Sequence, residues 1–463
     1  MDREAHRLDA LDDEEYILRC SEPKAAPLNV AVLVSGGVDS SVALRLLKLA
    51  GHNLKAFYLQ IWFEEAYENY WGECPWEEDL VFVKKVCDQV GVELEVVPLT
   101  KEYWEHVVSY SISEIRAGCT PNPDMMCNSK IKFGAFVDYL EKNYPKGAWD
   151  RVASGHYARM LERQPATAGD PSPRVLSMSM DEKKDQTYFL ASLRRDQLDK
   201  CVFPIGGFAK DEVRSLAQNF DLANKDRRDS QGICFLGKVN FDEFIEKHLG
   251  TMEGPLIEGK RRPAVEETIP RIRERWTRGR TAGPPPSNDN HRANPILPTP
   301  CRSLTHSFVL SLILRLLRWP DETKEVLGTH RGYWFHTIGQ RRGIGLSHGP
   351  WYVSSKDIKN NIVYISRNYN KADRRQRSAF LCSGFNWIAG VLPWEAENLR
   401  CKVRHGPRIY ECKFSLEGEA GRVDIDGKDH GFAPGQYVVF YDGTTCIGSG
   451  VIQSMPEPIR VDG

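Results

Sequence analysis

The sequence lacks the cysteine patterns that mark metal-binding or disulfide-rich proteins. It contains 12 cysteines among 463 residues, and no two of them form a C-x-x-C pair. Structural zinc sites are commonly built from such pairs, so their absence weakens a structural-zinc interpretation. The thiols are also too few for a disulfide scaffold in a chain of this length. This composition favours reduced, reactive thiols in an intracellular compartment.

The sequence also lacks an excess of charge and a membrane-length apolar run. With 62 basic and 63 acidic residues the formal net charge is -1, so any contact with nucleic acid has to come from local basic patches. The longest apolar candidate, residues 308–317, is too short to span a bilayer and contains Arg315. The acidic run at residues 11–15 is not typical of a transit peptide, which is poor in acidic residues.

A glycine-rich turn follows the first strong apolar run. The run Val30 to Val34 leads into Ser35-Gly36-Gly37-Val38-Asp39-Ser40, and residues 41–50 then carry apolar side chains at helical spacing. This order predicts a buried strand, a tight turn and a helix whose N-terminal amides can bind a phosphate. The Walker pattern G-x-x-x-x-G-K-[ST] is absent, which argues against a kinase or GTPase. A plain glycine turn between strand and helix is the simpler alternative.

The segments after this turn alternate between strand and helix patterns. Residues 54–59 and 92–97 are predicted strands, and residues 80–90 are the predicted helix between them. Such alternation predicts a doubly wound, mostly parallel sheet that binds its ligand at the carboxyl ends of the strands. Leu59 ends a strand on that edge and is a candidate for contact with adenine. On position alone, an ordinary core leucine is an equal alternative.

The last part of the chain, from about Trp351, changes to short alternating strands separated by turns. These strands are predicted at residues 362–365, 399–403, 410–414, 437–441 and 446–452. Their spacing predicts a small antiparallel β-barrel.

Two thiols stand in segments that suit chemistry. In Thr120-Pro121-Asn122-Pro123-Asp124-Met125-Met126-Cys127-Asn128 the prolines fix a turn, and Asp124 and Cys127 are spaced to share one face of a helical turn. A cysteine near a helix start gains thiolate character, and buried filler is the alternative for Cys127. Cys234 lies between glycines, which suits a mobile loop. By itself, His156 would more often be structural than functional.

Taken together, the motifs resemble those of the tRNA-specific 2-thiouridylases. The glycine-rich turn resembles the pyrophosphate-binding loop of the ATP pyrophosphatases, in which the aspartate is expected to help hold magnesium. The motifs, in the order of the family, are S-G-G-V-D-S, T-P-N-P-D-x-x-C-N, G-H-Y-A-R, K-D-Q-T-Y-F-L, D-S-x-G-I-C-F-x-G and T-I-G-Q-R-R-G-I-G. The match runs from Val30 to about Glu258 and from Glu325 to Gln453, and residues 56–80 and 404–407 are most similar to plant or algal organellar members.

The resemblance implies an α/β protein of three domains. An ATP pyrophosphatase (adenylation) domain with a doubly wound parallel sheet is expected at residues 28–204, a small central α+β tRNA-binding domain at 205–347, and an antiparallel β-barrel at 348–463. The implied activity adenylates the C2 oxygen of the wobble uridine in tRNA(Lys), tRNA(Glu) and tRNA(Gln), and then replaces it with persulfide sulfur. AMP and pyrophosphate are released. ATP and Mg2+ are the implied cofactors, and a cysteine desulfurase or relay protein is the implied sulfur donor.

The resemblance also implies roles for single residues. Cys234 would carry the persulfide, Cys127 would release sulfide from it or close a Cys127–Cys234 disulfide, and Asp124 would assist proton transfer. The residues expected around ATP are Leu33, Val34, Ser35, Gly36, Gly37, Val38, Asp39, Ser40, Leu59 and Gly155. The residues expected to contact tRNA are Asn122, Pro123, Asp124, His156, Lys184, Asp185, Gln186, Arg404, His405 and Gln436. No structural metal and no membrane partner are expected.

Two features depart from the family. Residues 259–320 turn to Arg, Pro, Ser and Thr without periodicity where the family has a short connection, and we interpret them as an unspliced intervening sequence or a disordered insert. Cys119 stands where the family usually has arginine, so we expect a phosphate contact to be lost and a thiol gained.

Other interpretations stay open at this point. Another ATP pyrophosphatase, such as an amidating or argininosuccinate-forming ligase, would share residues 35–40 but would not need Cys127 and Cys234. A non-catalytic tRNA-binding protein would result if the insert had destroyed the activity. A mitochondrial or chloroplast location is expected from the resemblance, with a cytoplasmic location as the alternative.

Overall fold

The structure is a computed structural model that describes residues 26–61, 75–162, 174–229, 241–259, 325–367, 378–389, 392–427, 429 and 432–454. Its strands are β1 (Asn29–Leu33), β2 (Asn53–Gln60), β3 (Glu93–Pro98), β4 (Arg151–Ala153), β5 (Ala158–Glu162), β6 (Arg174–Met178), β7 (Cys201–Val202), β8 (Gly254–Glu258), β9 (Val326–His330), β10 (Tyr352–Asp357), β11 (Ile362–Ser366), β12 (Ala379–Trp387), β13 (Leu399–Lys402), β14 (Tyr410–Glu417), β15 (Ala420–Ile425), β16 (Tyr437–Asp442) and β17 (Thr445–Ser454).

The α-helices are α1 (Val38–Leu49), α2 (Pro75–Val90), α3 (Thr100–Tyr103), α4 (Ser109–Arg116), α5 (Pro123–Met126), α6 (Phe136–Asn143), α7 (Thr187–Leu190), α8 (Arg195–Leu198), α9 (Lys210–Asn219) and α10 (Phe241–Leu249). The segments Trp104–Val108 and Cys127–Ala135 are π-helical, and Tyr333–Phe335 and Pro393–Glu395 are 3-10 turns. None of the helices in these described ranges is both long enough and apolar enough to cross a bilayer.

A parallel sheet forms the centre of the first domain. Its strand order is β3-β2-β1-β4-β7, and every neighbouring pair runs parallel. The chain proceeds outward from β1 to β2 and β3, and then returns to place β4 on the other side of β1. The carboxyl end of β1 is therefore the switch point at which such sheets bind ligands. The predicted doubly wound parallel sheet is confirmed.

Both faces of this sheet are buried, which explains why β1 is a continuous apolar run. Alternate residues of β1 enter different cores: Val30 and Val32 pack with α1, α2 and α9, whereas Ala31 and Leu33 pack on the opposite face. Helix α9 supplies Val213, Leu216 and Ala217 to the first of these cores. The core of the first domain thus includes residues beyond the boundary predicted after residue 204.

A smaller mixed sheet forms the middle domain, with strand order β10-β11-β8-β9. Strand β11 runs parallel to β8, with Val363 opposite Leu256, while the two outer pairs are antiparallel. The strand predicted at residues 362–365 therefore belongs to the middle sheet. The prediction that the barrel begins near residue 348 is wrong for this reason, because β10 and β11 pair with β8 and not with the barrel.

The C-terminal barrel is closed by its first and last strands. Six antiparallel strands follow the order β12-β15-β14-β13-β16-β17, and β12 pairs with β17 to complete the ring. Closure removes the free sheet edges, and aromatic residues such as Phe380 and Phe440 fill the interior. Strand β17 also pairs with β6 of the first domain, Thr445 opposite Ser177. The barrel is thereby joined to the first domain by a continuous sheet.

Two of the predicted features lie outside the described residues. They are Cys234 and nearly all of the segment interpreted as an intervening sequence or insert. The residues that flank residues 260–324 are described, and they lie together. Ile257 pairs with Val326, and the Glu258 N–H donates to the Glu325 carbonyl at 3.3 Å.

Candidate nucleotide and thiol site

The glycine-rich turn lies at the carboxyl end of β1 and in the first turn of α1. The Ser35 N–H donates to Ser40 Oγ at 3.2 Å, and Ser40 Oγ donates to the Gly37 carbonyl at 3.0 Å, so the serines hold the turn closed. Gly36 has a φ of 78°, a conformation that favours glycine. Gly37 caps α1 without any side-chain acceptor, so the first amides of the helix can donate to an anion.

Gly155 brings the end of β4 against this turn. A Cβ atom at Gly155 would lie 2.6 Å from the Ser40 nitrogen and 2.8 Å from the Asp39 carbonyl carbon. Only glycine allows so close an approach of two backbone segments. The structure therefore places Gly155 directly beside Asp39 and Ser40. Leu59 lies half-buried at the carboxyl end of the neighbouring strand β2, on the same edge of the sheet.

A network of ion pairs surrounds Asp39. The Lys210 ammonium lies 2.7 and 2.9 Å from the two carboxylate oxygens of Asp39, and 2.9 Å from Asp229. Arg214 also pairs with Asp229, and Lys184 does so at 3.3 Å. Burial opposes ionisation of Asp229, but hydrogen bonds from these cations lower its pKa to about 2. Asp229 is therefore a fixed negative charge beside the turn.

Two further side chains hold the outer side of the turn. Asn224 Nδ2 donates to the Gly36 carbonyl at 2.8 Å and to Ser41 Oγ at 2.9 Å. Arg227 donates to the same carbonyl at 3.1 Å and pairs with Asp79 of α2. In the part of the chain that the structure describes, the buried Oδ1 of Asn224 has no hydrogen-bond partner. The sequence patterns did not single out Lys210, Asn224 or Arg227.

A second cluster forms at Cys127, where α5 becomes π-helical. The i→i+5 hydrogen bonding of a π-helix brings residues five apart to the same side, so Lys132 follows Cys127 on one face. Lys132 Nζ donates to Asn128 Oδ1 at 3.0 Å, and Asn128 Nδ2 donates to the Phe189 carbonyl at 3.2 Å. Cys127 itself is buried. π-Helical turns occur frequently at functional sites, and this one begins at Cys127 and contains Lys132.

Asp124 lies one turn before Cys127 and is half-buried. Burial raises the pKa of its carboxyl group, while the positive charges of Lys132 and His405 oppose that rise. A carboxyl group whose pKa is raised in this way suits proton transfer. The sequence patterns did not single out Lys132, because its effect on Asp124 and His156 depends on how the π-helical segment is placed in the fold.

His156 connects the two clusters. Its Nδ1 lies 2.8 Å from Ser154 Oγ, and burial together with the charge of Lys132 holds its pKa well below the usual value, so the ring is neutral at physiological pH. The preceding residue, Gly155, faces the glycine-rich turn, and the following residue, Tyr157, donates its hydroxyl to Asp39 at 3.0 Å. The His156 ring itself lies 6.3 Å from that of Phe133, in the π-helical segment that begins at Cys127. Consecutive residues of one turn therefore contact the glycine-rich turn and the segment that begins with the thiol.

The barrel docks beside Asp124 through two of the predicted tRNA-contacting residues. Gln436 Nε2 donates to the Pro121 carbonyl at 3.3 Å, immediately before Asn122 and Pro123. The His405 ring stacks on Phe189 with 4.5 Å between ring centroids. These contacts bring residues of the barrel and of the first domain to one surface.

Other predicted tRNA-contacting residues differ in their exposure. Asn122 is buried and caps α5, since its Oδ1 accepts from the Met125 N–H at 3.2 Å. Arg404 pairs with Asp429 but leaves 52% of its side chain exposed. Arg404 is therefore open to a phosphate, whereas Asn122 positions the backbone around Asp124.

The K-D-Q motif makes internal contacts. Asp185 pairs with Lys402 of β13 at 2.8 Å, and the two side chains are 0% and 1% exposed. This burial is at odds with the prediction that Asp185 contacts tRNA, because its carboxylate faces the barrel and not the solvent. Gln186 accepts from the Tyr157 N–H at 2.9 Å, and Lys184 pairs with Asp229. The motif thus attaches the barrel and the nucleotide site to each other.

Cys119 lies at a contact between the first domain and the barrel. A Cβ atom at Gly435 would lie 2.8 Å from Cys119 Cβ. Burial and the neighbouring Glu114 raise the pKa of the Cys119 thiol to about 11. The thiol gained at this position is therefore protonated at neutral pH and a weak nucleophile. Within the described ranges, no three His, Cys, Asp or Glu side chains converge as a metal site.

The comparison with known proteins agrees with this arrangement. Three family models match in succession: a tRNA methyl transferase HUP domain at residues 28–238, a tRNA methyl transferase PRC-barrel domain at 320–367, and an aminomethyltransferase beta-barrel domain at 377–452. The tRNA-specific 2-thiouridylase MnmA of Parabacteroides distasonis is 38% identical over 431 residues, which cover 92% of this chain and 99% of that protein. The chain belongs to the tRNA-specific 2-thiouridylase family.

A second 2-thiouridylase, MnmA of Porphyromonas gingivalis, is 38% identical over 437 residues and covers 92% of this chain and 99% of its own. These relatives are bacterial, so they confirm the family and give no support to a plant or algal origin. The U34-tRNA thiolase NcsA from Methanococcus maripaludis aligns with 51% of this chain and 69% of its own, at 17% identity and a TM-score of 0.29. A structural likeness this weak carries no argument.

Proposed function

We propose that the protein is a tRNA-uridine 2-sulfurtransferase that replaces the C2 oxygen of the wobble uridine with sulfur in an ATP-dependent reaction. One observation carries the proposal: Gly155 and Tyr157 contact the phosphate-binding turn, while the ring of His156 between them lies 6.3 Å from that of Phe133, in the π-helical segment that begins at Cys127. A ligase that adenylates its substrate needs the first of these sites. Only sulfur transfer needs both.

The residues around the glycine-rich turn fit ATP. The uncapped amides of α1 can donate to phosphate oxygens, Lys210 and Arg227 place positive charge beside them, and Gly155 keeps β4 from filling the space. When bound, ATP supplies the adenylyl group that lets the uridine C2 oxygen leave as part of AMP. Asp39 is the carboxylate within the turn and is the residue that would hold Mg2+.

The thiols then transfer sulfur with balanced bond changes. The terminal sulfur of a persulfide on Cys234 attacks C2 while the bond from C2 to the AMP oxygen breaks. The Cys127 thiolate next attacks the Cys234 sulfur, which leaves sulfur on the uridine and forms a Cys127–Cys234 disulfide. In the alternative order, Cys127 attacks first and releases sulfide, which then attacks C2. A thiol reductant restores both cysteines. Asp124 accepts the proton of the Cys127 thiol when the thiolate forms and returns it when the thiol is restored.

The tRNA contacts follow from the exposed residues around Asp124. A base has to leave its stack to reach a half-buried carboxyl group, and the His405 ring, which stacks on Phe189 and whose charge acts on Asp124, offers a flat surface near it. Arg404 supplies a cation for the RNA backbone. We propose tRNA(Lys), tRNA(Glu) and tRNA(Gln) as substrates and a cysteine desulfurase or relay protein as the sulfur donor, on the basis of the family motifs.

The test incubates purified protein with Mg2+, ATP, a persulfide donor and unmodified tRNA(Glu), and then identifies the nucleosides by mass spectrometry. We expect 2-thiouridine, its loss in Cys127→Ser and Cys234→Ser, and its retention in the control Cys412→Ser, which changes a half-buried cysteine of the barrel. Repeated ATP turnover that is unchanged in both cysteine variants, with no 2-thiouridine formed by the natural chain, would support a ligase.

A variant of the protein that lacks residues 260–324 is tested in parallel under the same conditions. Activity that appears only in this variant would assign the full chain to a defective product of an unspliced message, and tRNA binding without any ATP turnover would assign it to a non-catalytic protein.

An organellar location is a further proposal, and it depends only on the similarity of residues 56–80 and 404–407 to organellar members. Immunodetection in purified organelles and in cytosol of the source cells would decide it.

A further inference from the structure

Lys210 occupies a more constrained position than an ordinary surface lysine, and its role depends on the proposed binding of ATP and Mg2+. It is the first residue of α9, where its backbone N–H donates to Asp181 Oδ2 at 3.0 Å. Its side chain is only 12% exposed, and the ammonium lies 5.6 Å from the centre of the Tyr157 ring. These contacts direct the ammonium toward the glycine-rich turn.

The Lys210 ammonium engages the carboxylate that the proposed metal ion needs. It lies 2.7 Å from one Asp39 oxygen and 2.9 Å from the other, and the Tyr157 hydroxyl donates to the first of these oxygens. A divalent cation binds carboxylate oxygens directly. An ammonium bonded to both oxygens of Asp39 therefore competes with the cation for this carboxylate.

Asp229 gives the ammonium a second anchor, at 2.9 Å. Asp229 is itself paired with Arg214 and Lys184 and stays ionised at neutral pH. An ammonium that leaves Asp39 is thus retained beside the turn by Asp229. The anion nearest to it there would be a phosphate group held by the amides of α1.

We infer that Lys210 and a divalent cation exchange at Asp39, and that the displaced ammonium then binds the phosphate chain of ATP. Lys210 keeps the carboxylate neutralised before nucleotide binds and becomes a phosphate contact afterwards. It is a positioning residue for Asp39 and a binding residue for ATP. A purely structural lysine would only tie α9 to the turn.

Exchange at Asp39 predicts that removing the ammonium strengthens metal binding and weakens ATP binding, whereas a purely structural lysine would affect both in the same direction. The experiment therefore measures metal binding and nucleotide binding separately. Free Mn2+ is followed by electron paramagnetic resonance without nucleotide, and ATP binding is followed by calorimetry with and without Mg2+. In Lys210→Met we expect Mn2+ to bind several-fold more tightly, because its competitor for Asp39 is gone. We expect ATP with Mg2+ to bind about tenfold more weakly, which corresponds to about 1.4 kcal/mol.

Three further variants complete the test. Lys210→Arg keeps the charge and should bind ATP nearly as well as the natural chain. Lys200→Met removes an exposed lysine that pairs with Glu141 at 2.8 Å and should change neither affinity. Asp39→Asn combined with Lys210→Met should lose the gain in Mn2+ affinity.

The outcomes separate this inference from the proposed function. Parallel weakening of Mn2+ and ATP binding in Lys210→Met, or no change in either, would overturn the exchange while leaving the sulfurtransferase proposal intact. A natural chain that binds no ATP in the presence of Mg2+ would overturn both.

Discussion

The buried ion pair between Lys402 and Asp185 predicts how strongly the barrel is attached to the first domain. The pair joins β13 to the segment before α7, and neither side chain has more than 1% of its surface exposed. Lys402→Met removes the charge and keeps most of the apolar stem. It leaves the Asp185 carboxylate buried with hydrogen bonds from Thr187 Oγ1 at 2.8 Å and from the Ser179 N–H at 3.2 Å.

The size of the effect follows from what these hydrogen bonds can replace. Removing one partner of a buried ion pair costs about 3–5 kcal/mol, because the other charge stays desolvated. The donors from Thr187 and Ser179 satisfy part of the carboxylate, so we expect a loss near the lower bound, about 3 kcal/mol. The double variant Lys402→Met/Asp185→Asn carries no buried charge and should recover about 2 kcal/mol of that loss.

The assay is urea unfolding followed by tryptophan fluorescence, since Trp387 and Trp394 report on the barrel. Arg194→Met is the control, because it breaks an exposed pair with Asp196 of similar length, 2.7 Å, and should cost less than about 0.5 kcal/mol. A second readout is the pKa of His405, which burial and the charge of Lys402 lower; it should rise in Lys402→Met. The reasoning is refuted if Lys402→Met destabilises no more than the control, or if the double variant is no more stable than the single one.

Three other predictions concern the site. Lys132→Met should raise the pKa of Asp124 further, because it removes a cation that opposes the rise. If ionised Asp124 accepts a proton in the reaction, the acid limb of the pH–rate profile then moves to higher pH, and Lys132→Arg should restore it. An acid limb that does not move in Lys132→Met would show that Lys132 does not act on Asp124. Gly155→Ala places a Cβ atom 2.6 Å from the Ser40 nitrogen, so it should abolish the ATP binding that calorimetry measures. The circular dichroism spectrum should stay unchanged. An unaltered affinity for ATP would contradict the close approach of Gly155 to the glycine-rich turn. Cys119, with a thiol pKa of about 11, should be alkylated slowly by iodoacetamide at neutral pH and faster as the pH rises, as followed by peptide mass spectrometry; rapid labelling at neutral pH would show that the thiol is not buried as described.

The parts of the fold that sequence patterns predicted are those set by local burial. The apolar run from Val30 to Val34 follows directly from a strand buried on both faces. The start of the barrel could not be placed, because β10 and β11 are as short as barrel strands and nothing in their own sequences identifies the strand that each one pairs with. The partner of β11, β8, lies far earlier in the chain. Likewise, the apolar face of α9 does not reveal that it packs on the first domain.

The same distinction holds for the site. The glycine-rich turn and Gly155 stand in motifs whose backbone chemistry can be recognised locally. Lys210 acquires its meaning only from contact with Asp39, which a fold has to bring to it. Asp185 illustrates the same point. Its motif predicts a contact with tRNA, and only the fold reveals that its carboxylate is buried against Lys402. Long-range pairing of charges leaves no periodic trace in a sequence.

The hairpin-like pairing of β8 with β9 has a consequence for gene structure. The residues that flank residues 260–324 meet at a hydrogen bond between Glu258 and Glu325, so both ends of the segment are anchored at one point of the middle sheet. Loop-closure entropy makes each doubling of the chain length between two anchored points cost only about 0.6 kcal/mol. Extra coding sequence here, whether retained by faulty splicing or acquired by insertion, can be translated without displacing a single strand partner. The same position would accept a grafted reporter domain.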